Sequence, residues 1–443
     1  MTIKRCEFLI PFSLQKKIHV KISGRSGMQS LLLITILLFF SIRSTAQDMT
    51  YTHSIINTLT SKEFAGRGYV NDGCAKAAEF IRQQFDSLKL QSFSKDYFQP
   101  FKFPVNTFPG DMEIIIDGKK LVAGDDYIVH AHSSAASGKY RLEPLREYNN
   151  PGVFNLHPDV CYTVIPDSLP ETMRTELFND LLSGKINTGA LILLNQKKLT
   201  WSVAKDHYKI PVAIVLQYYL PAGAKEISFR ISEKFLPDFK TENVVGYVRG
   251  ISKPDSFIVI SAHYDHLGMM GRETYFPGAN DNASGISMLL NLASHFSRKQ
   301  NQPECSIAFI AFAGEEAGLV GSKYYTENPL FDLSKIKFLI NLDLLGTGDE
   351  GMMVVNATEF PNQFQVLESI NNDKKYLLSL KQRGKAKNSD HYYFSELGVP
   401  SFFFYTMGGI QAYHDINDKA ETLPLTEFED VFRLIIDFTK HLR

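Results

Sequence analysis

The chain has 443 residues, of which 47 are Lys or Arg and 48 are Asp or Glu. That length holds one large α/β domain with an insertion, or two ordinary domains. Balanced charge with no sustained basic block in the body lacks the electrostatic footprint of a nucleic-acid binder, so no nucleic-acid partner is expected.

The N-terminus carries an apolar run, Leu31 to Ile42, broken only by Thr35 and Ser41 and followed by Ser44-Thr45-Ala46-Gln47. The run is short for a membrane span, and Ser44 and Ala46 stand where a signal-peptide cleavage site needs small residues. Residues 1–46 therefore read as a signal peptide cut after Ala46. This implies export to the periplasm or the extracellular space, with no stable membrane insertion after cleavage. A retained membrane anchor is the competing reading, and Met28 offers a second start. No cysteine follows the run closely, which argues against a lipoprotein anchor. Cleavage would remove Cys6 and leave Cys74, Cys161 and Cys305, an odd number that cannot all pair within one chain. Cys74 and Cys305 lie on apolar stripes and read as buried thiols.

The first segment after the run contains Phe64-Ala65-Gly66-Arg67 and then a helical stripe of Cys74, Ala78, Ile81, Phe85 and Leu88, opened by Asp72 and Gly73. From Phe101 to Lys240 the pattern changes to short runs between turn residues, among them Met112 to Ile116, Ala190 to Leu194 and Val212 to Leu216. Residues 101–240 read as a β-rich insertion, flanked by 47–100 and 241–443 as the parts of one main domain. From Asn243 onward strands and helices alternate. The strands are Asn243 to Val248, Ser256 to Ala262, Cys305 to Phe312, Phe338 to Leu342, Met352 to Asn356 and Ser401 to Tyr405. Helices are expected near Ser284 to Ser297, Leu319 to Glu327 and Asn362 to Asn371. Such alternation predicts an α/β fold with a mostly parallel, mixed central sheet and helices on both faces. A last helix opens at Thr426-Glu427-Phe428-Glu429, which fits a capping box. Its stripe of Phe428, Val431, Phe432, Ile435 and Leu442 should dock on that sheet.

Four of the apolar runs deliver a metal-competent residue just past their carboxyl ends: His263-Tyr264-Asp265, Glu315-Glu316, Asp343 and His414. Adjacent acids alone are weak evidence, because such pairs are common on solvated helix faces. Their place at strand ends, where open α/β sheets bind ligands, raises them. Neighbouring carboxylates that point different ways can divide metal binding from proton handling. Asp281, before the helix from Ser284, has an ordinary N-cap reading that is compatible with metal binding by its other oxygen.

These residues fall within six motifs: His263-Tyr264-Asp265, Gly278-Ala279-Asn280-Asp281-Asn282-Ala283-Ser284-Gly285, Gly314-Glu315-Glu316, Asn341-Leu342-Asp343, Ser389-Asp390-His391 and Tyr413-His414. In this order they resemble the secreted dinuclear-zinc aminopeptidases of metallopeptidase family twenty-eight, relatives of glutamate carboxypeptidase II and the transferrin receptor. The resemblance covers most of residues 243–425, and Phe64-Ala65-Gly66-Arg67 adds an N-terminal match.

It implies two zinc ions per chain, one on His263 and Asp343, the other on Glu316 and His414, with Asp281 bridging. It implies a zinc exopeptidase that removes N-terminal residues from peptides with a free N-terminus. A metal-bridging water would do the hydrolysis, with Glu315 as its general base. Two such ions stand about 3.5–4 Å apart. Asp265 would take the second N–H of the His263 imidazole, Asp390 would support the site as a hydrogen-bonding carboxylate, and Asp418 would fix the loop that carries His414. The peptide after Asp281 is expected to be cis. His266, Ser389 and His391 are expected to be structural or supporting rather than ligands. Lys387-Asn388 stands where some relatives have an oxyanion-steadying tyrosine, which leaves Tyr413 as a candidate donor. Parts of the insertion, Gly189 to Leu193 and Ile210 to Val215, weakly resemble a protease-associated domain, read as a lid or access module or else as a packing-only appendage.

Two rivals share the fold. A glutaminyl cyclase usually has Trp where this chain has Tyr413 and lacks the Asp281-Asn282-Ala283-Ser284-Gly285 run. A non-catalytic, transferrin-receptor-like binding module typically loses ligands that are all retained here.

Overall fold

Residues 257–263 and the run Cys305–Phe312 carry apolar or small side chains at nearly every position instead of alternating with charge, and all of them are buried. Strands of this kind need cover on both faces, which a parallel sheet between helices supplies. In the computed structural model, which describes residues 47–145 and 156–442, these runs lie at the middle of a nine-stranded sheet. The expected signal peptide lies outside the described residues.

Lys253–His263 is flanked in parallel by Cys305–Phe312 and Ile336–Leu342, and the latter by Ser401–Thr406. Lys234–Val248 runs antiparallel along Cys305–Phe312, and Met352–Val355 antiparallel along Ser401–Thr406. The sheet is therefore mixed with a parallel centre, as the alternating pattern predicted. His263 pairs with Phe312 and Leu342 with Phe404, so the parallel strands finish along one edge.

Alternate residues divide between the two faces. Ile258, Ile260, Phe309 and Ile340 pack toward the helices Gly73–Ser87, Gly285–Ser297 and Phe428–Thr439, while Val259, Ala308, Ile310 and Leu339 pack with Tyr325 and Phe394 from the helices Val320–Glu327 and His391–Glu396. The last helix docks through Phe428, Val431, Phe432 and Ile435 of the predicted stripe, all buried, while Leu442, also buried, lies just past its end at Thr439. The capping box does not form: the helix starts at Phe428, and the N-cap Glu427 makes no side-chain cap. The chain turns into this helix from Leu425, buried and at φ 52°, so apolar anchoring replaces the cap. Cys74, Cys161 and Cys305 are buried free thiols. Among the described residues, no helix is long and apolar enough to cross a membrane.

A second sheet of eight strands is built from residues between Met112 and Ile231. Its strands Ala136–Pro144, Val160–Val164, Ala190–Asn195 and Val212–Leu216 are mutually parallel, and the helix Glu171–Leu182 contributes Leu177 and Leu181 to its packing. Phe98–Thr107 pairs along Lys234–Val248 from Phe98 with Val244 to Thr107 with Lys234. This long ribbon belongs to the first sheet. Strand pairing thus moves the change-over between the sheets to 107–112 on the way out and 231–234 on the way back, and both sheets lie in one unit, Gln47–Arg443.

Candidate metal centre

The edge where the parallel strands end collects the donors. His263 is the last residue of its strand, and Asp343 follows Leu342 directly. Glu315 and Glu316 follow Gly314, whose φ of 70° makes the turn off Cys305–Phe312 in a conformation that glycine adopts without steric cost. Asp281 comes from the irregular turn before Gly285–Ser297, and its peptide to Asn282 is cis, as expected. That turn is tied down from three sides. Asp418 accepts from the N–H groups of Asn280 at 2.8 Å and Asp281 at 3.0 Å, and Asn282 Nδ2 donates to Leu342 O at 2.9 Å. Arg67, fully buried, donates to Asp281 O at 3.1 Å and to the carbonyls of Gly278, Pro277, Tyr264 and Leu59.

The five expected ligands converge. His263 Nε2 lies 3.5 Å from Asp281 Oδ1 and 3.4 Å from Asp343 Oδ1, while His414 Nε2 lies 3.0 Å from Asp281 Oδ2 and 3.2 Å from Glu316 Oε2. Each oxygen of the one carboxylate thus faces a different imidazole. Glu315 joins the first group, with ligand atoms of His263, Glu315 and Asp343 all within 4.8 Å of one another. His263 Nε2 and Asp343 Oδ1 are buried with no hydrogen-bond partner among the described residues. Buried polar atoms are rarely left so, and imidazole nitrogen with carboxylate oxygen is a donor set that suits zinc. The residues fit a pair of ions.

The supporting residues differ in part from expectation. The Asp265 carboxylate lies 3.9 Å from His263 Nδ1, too far for a hydrogen bond, and the imidazole pairs instead with the Asp265 main-chain carbonyl at 3.1 Å. The strand ends at His263, so the two-residue period that would bring both side chains together no longer applies. The carboxylate instead accepts from the N–H groups of Glu315 at 3.1 Å and Glu316 at 3.2 Å and from Tyr69 Oη at 2.7 Å, fixing the Glu-Glu turn. Asp418, four residues beyond His414, ties the segment that carries His414 to the Asp281 turn. Asp390 is fully buried, but neither of its oxygens has a hydrogen-bond partner among the described residues, so it is not the hydrogen-bonding carboxylate expected; burial pushes its carboxyl up to about 7 against the pull of His263. Ser389 bonds Asp343 Oδ2 at 3.3 Å, and His391 packs against Phe403.

His266 comes nearer than expected. Its Nδ1 lies 2.7 Å from Glu316 Oε1 but 3.9 Å from Asp281, and its Nε2 is buried without a partner among the described residues. His414 is closer than His266 to Asp281, so His266 is better placed to orient Glu316 than to share an ion with it. Tyr413 is 45% exposed and lies over the His414 ring with centroids 3.9 Å apart.

The two adjacent acids are electrostatically distinct. Burial pushes the Glu315 carboxyl well above its usual range; His263 pulls against this, while Asp390, Glu316 and Asp343 reinforce it. Burial acts the same way on Glu316, but the imidazoles of His414 and His266 outweigh it and hold that carboxyl well below its usual range. One member of the pair favours a proton and the other rejects it.

Three contributors carried no assigned role in the sequence. Arg67 sits in a matched segment, yet its five carbonyl partners reach from Leu59 to Asp281. Tyr69 follows two residues later. Trp201, from the second sheet's side, meets His414 through main-chain atoms, which no side-chain pattern encodes.

Fold and donor set are those of an α/β domain with a candidate metal centre at the ends of its parallel strands. Residues 243–439 match the family described as Peptidase family M28. The chain is 30% identical over 230 residues to Aminopeptidase YwaD of Bacillus subtilis, covering 48% of this chain and 47% of that protein. It is 35% identical over 137 residues to a "Probable zinc metalloprotease" of Pyricularia oryzae, covering 30% of this chain and 25% of the other. The matched parts thus span about half or less of these curated relatives. The structure of BSAP, a zinc aminopeptidase from Bacillus subtilis, superposes with a TM-score of 0.69 over 90% of this chain and 96% of that one at 19% identity. A Peptidase M28 precursor from Shewanella amazonensis gives 0.66 over 89% and 93% at 16% identity. At such identities these structures establish the fold.

Proposed function

We propose that this chain is an exported zinc-dependent aminopeptidase with two zinc ions, one on His263 and Asp343, the other on Glu316 and His414, and Asp281 between them. The observation that carries it is the pose of Asp281, whose two oxygens face the Nε2 atoms of two different histidines. Relatives named as an aminopeptidase and a zinc metalloprotease support the class of reaction. The apolar run at Leu31 to Ile42 supports export.

When bound, the ions supply Lewis acidity and lower the pKa of water. Glu315 would take the proton of the attacking water and return it to the leaving amine, a role open to a carboxylate grouped with His263 and Asp343 but not needed to bridge the two histidines. Asp265 holds Glu315 and Glu316 at fixed relative orientation through their N–H groups. Tyr413, stacked on the His414 ring, is the candidate to donate to the developing oxyanion.

The test is to count zinc per chain and compare release of N-terminal residues from unblocked peptides and from the same peptides N-acetylated. Two zinc ions with release from unblocked peptides only is the expected result. Equal cleavage of blocked peptides rejects the aminopeptidase reading.

A further inference from the structure

His414 reaches the centre on a loop that follows Gly408 and Gly409, both at positive φ, and beside the half-exposed Tyr413. Residues from the second sheet hold it there. Lys198, just after the strand Ala190–Asn195, pairs with Asp415 at 2.6 Å and donates to the carbonyls of Gln411 at 2.9 Å and Tyr413 at 3.1 Å. Three residues on, Trp201 donates its main-chain N–H to His414 O at 2.8 Å, and its carbonyl lies 3.1 Å from His414 Nδ1. A carbonyl only accepts, so in the neutral imidazole this contact keeps the proton on Nδ1 and turns the Nε2 lone pair toward Asp281 and Glu316, as a metal ligand requires.

The clamp is itself anchored. Trp201 is 5% exposed, stacks on Phe276 with centroids 4.7 Å apart and donates Nε1–H to Val129 O at 2.8 Å. Asn195 Nδ2 donates to Lys198 O at 2.8 Å. Trp201 thus bridges a strand of the second sheet, Tyr127–Val129, and Phe276 in the same apolar cluster.

We propose that the segment 198–201 is a positioning element of the metal centre: Lys198 and the Trp201 carbonyl set the pose and tautomer of His414, and through it the affinity for one ion of the pair. The insertion is then part of the centre rather than an appendage. The proposal rests on the two-zinc reading above.

The test titrates zinc in the full-length protein against a chelator, for wild type, Lys198→Met, Lys198→Arg and Asp415→Asn, with the cobalt-substituted absorption spectrum and the melting temperature of the zinc-free protein alongside. Lys198 is 41% exposed at its side chain, so its replacement leaves the fold intact. Lys198→Met should release one ion ~10–100-fold more readily, in line with the usual cost of disturbing a ligand's hydrogen-bonded support. The other ion stays, the cobalt spectrum changes for one site, and the zinc-free melting temperature does not move. Lys198→Arg should restore most of the affinity, and Asp415→Asn should reproduce the loss from the other side. Unchanged affinity in Lys198→Met overturns the proposal. So does equal weakening of both ions in step with a lower melting temperature, which marks general loosening. A wild-type protein that binds fewer than two ions removes the two-zinc reading itself, and the wild-type titration alone shows it.

Discussion

Replacing Arg67 by Met tests how far the Asp281 turn depends on one buried cation. The guanidinium donates to Tyr264 O at 2.9 Å, Leu59 O at 3.0 Å, Pro277 O at 2.7 Å, Gly278 O at 2.8 Å and Asp281 O at 3.1 Å. Burial pulls its pKa down to about 10, with Asp281, Asp418, Asp265 and Glu316 resisting, so it is charged at neutral pH. Hydrogen bonds to a charged donor contribute about 1.5–3 kcal/mol each, which would make five of them worth far more than any single substitution costs. Two effects reduce the sum: the guanidinium was itself dehydrated on folding, and Gly278 O keeps a second donor in Ala283 N–H at 3.2 Å. Removing one member of a buried charged network typically costs about 3–5 kcal/mol, and that is the expected loss for Arg67→Met. It is a large part of the roughly 5–15 kcal/mol that holds a domain together. The loss should be greater without metal than with it, because the nearby carboxylates then have neither cation. Guanidinium unfolding of chelator-treated and zinc-loaded protein, wild type and variant, measures both quantities. A loss below about 1 kcal/mol in the metal-free protein would refute the argument, since surface substitutions alone reach about half of that.

The remaining predictions concern the Glu-Glu turn. Glu315→Gln should lower turnover by ~10²–10⁴ with zinc content unchanged, whereas Glu316→Gln should lower zinc content; full activity in the first variant shows that the base is another group. In Asp265→Asn a single carbonyl oxygen faces the two N–H groups that the carboxylate served, so thermal unfolding should show a loss of about 1–3 kcal/mol and kinetics a lower rate with both ions retained. An unaltered melting temperature there would mean that the turn holds itself.

Much of the centre was legible because it lies where strands stop. Unalternating apolar runs marked the buried parallel strands, and the first polar residues beyond them, His263, Glu315, Glu316 and Asp343, had to emerge along one edge. Asp281 and His414 sit on irregular backbone, where no periodicity applies, so an N-cap position and a place some way beyond an apolar run pointed to them less sharply than their motifs did. The same limit explains Asp265. Spacing of two residues places it beside His263 only while the strand continues, and the chain leaves the strand at that residue.

The supports were less visible for a different reason. Arg67 and Asp281 are separated by 214 positions, His414 and Trp201 by 213, and both contacts end on main-chain carbonyls. Since every residue offers the same carbonyl, side-chain identity carries no trace of such partners. Composition likewise set the insertion apart at 101 and 240, although Phe98–Thr107 and Lys234–Val248 pair along almost their whole length across that boundary. The ribbon of Phe98–Thr107 and Lys234–Val248 joins the two sheets, and the clamp on His414 makes a second connection. With both connections in place, the second sheet cannot shift relative to the first without moving a residue that faces Asp281 and Glu316. Metal occupancy, rather than substrate access alone, is therefore the property through which changes in the insertion should first be felt.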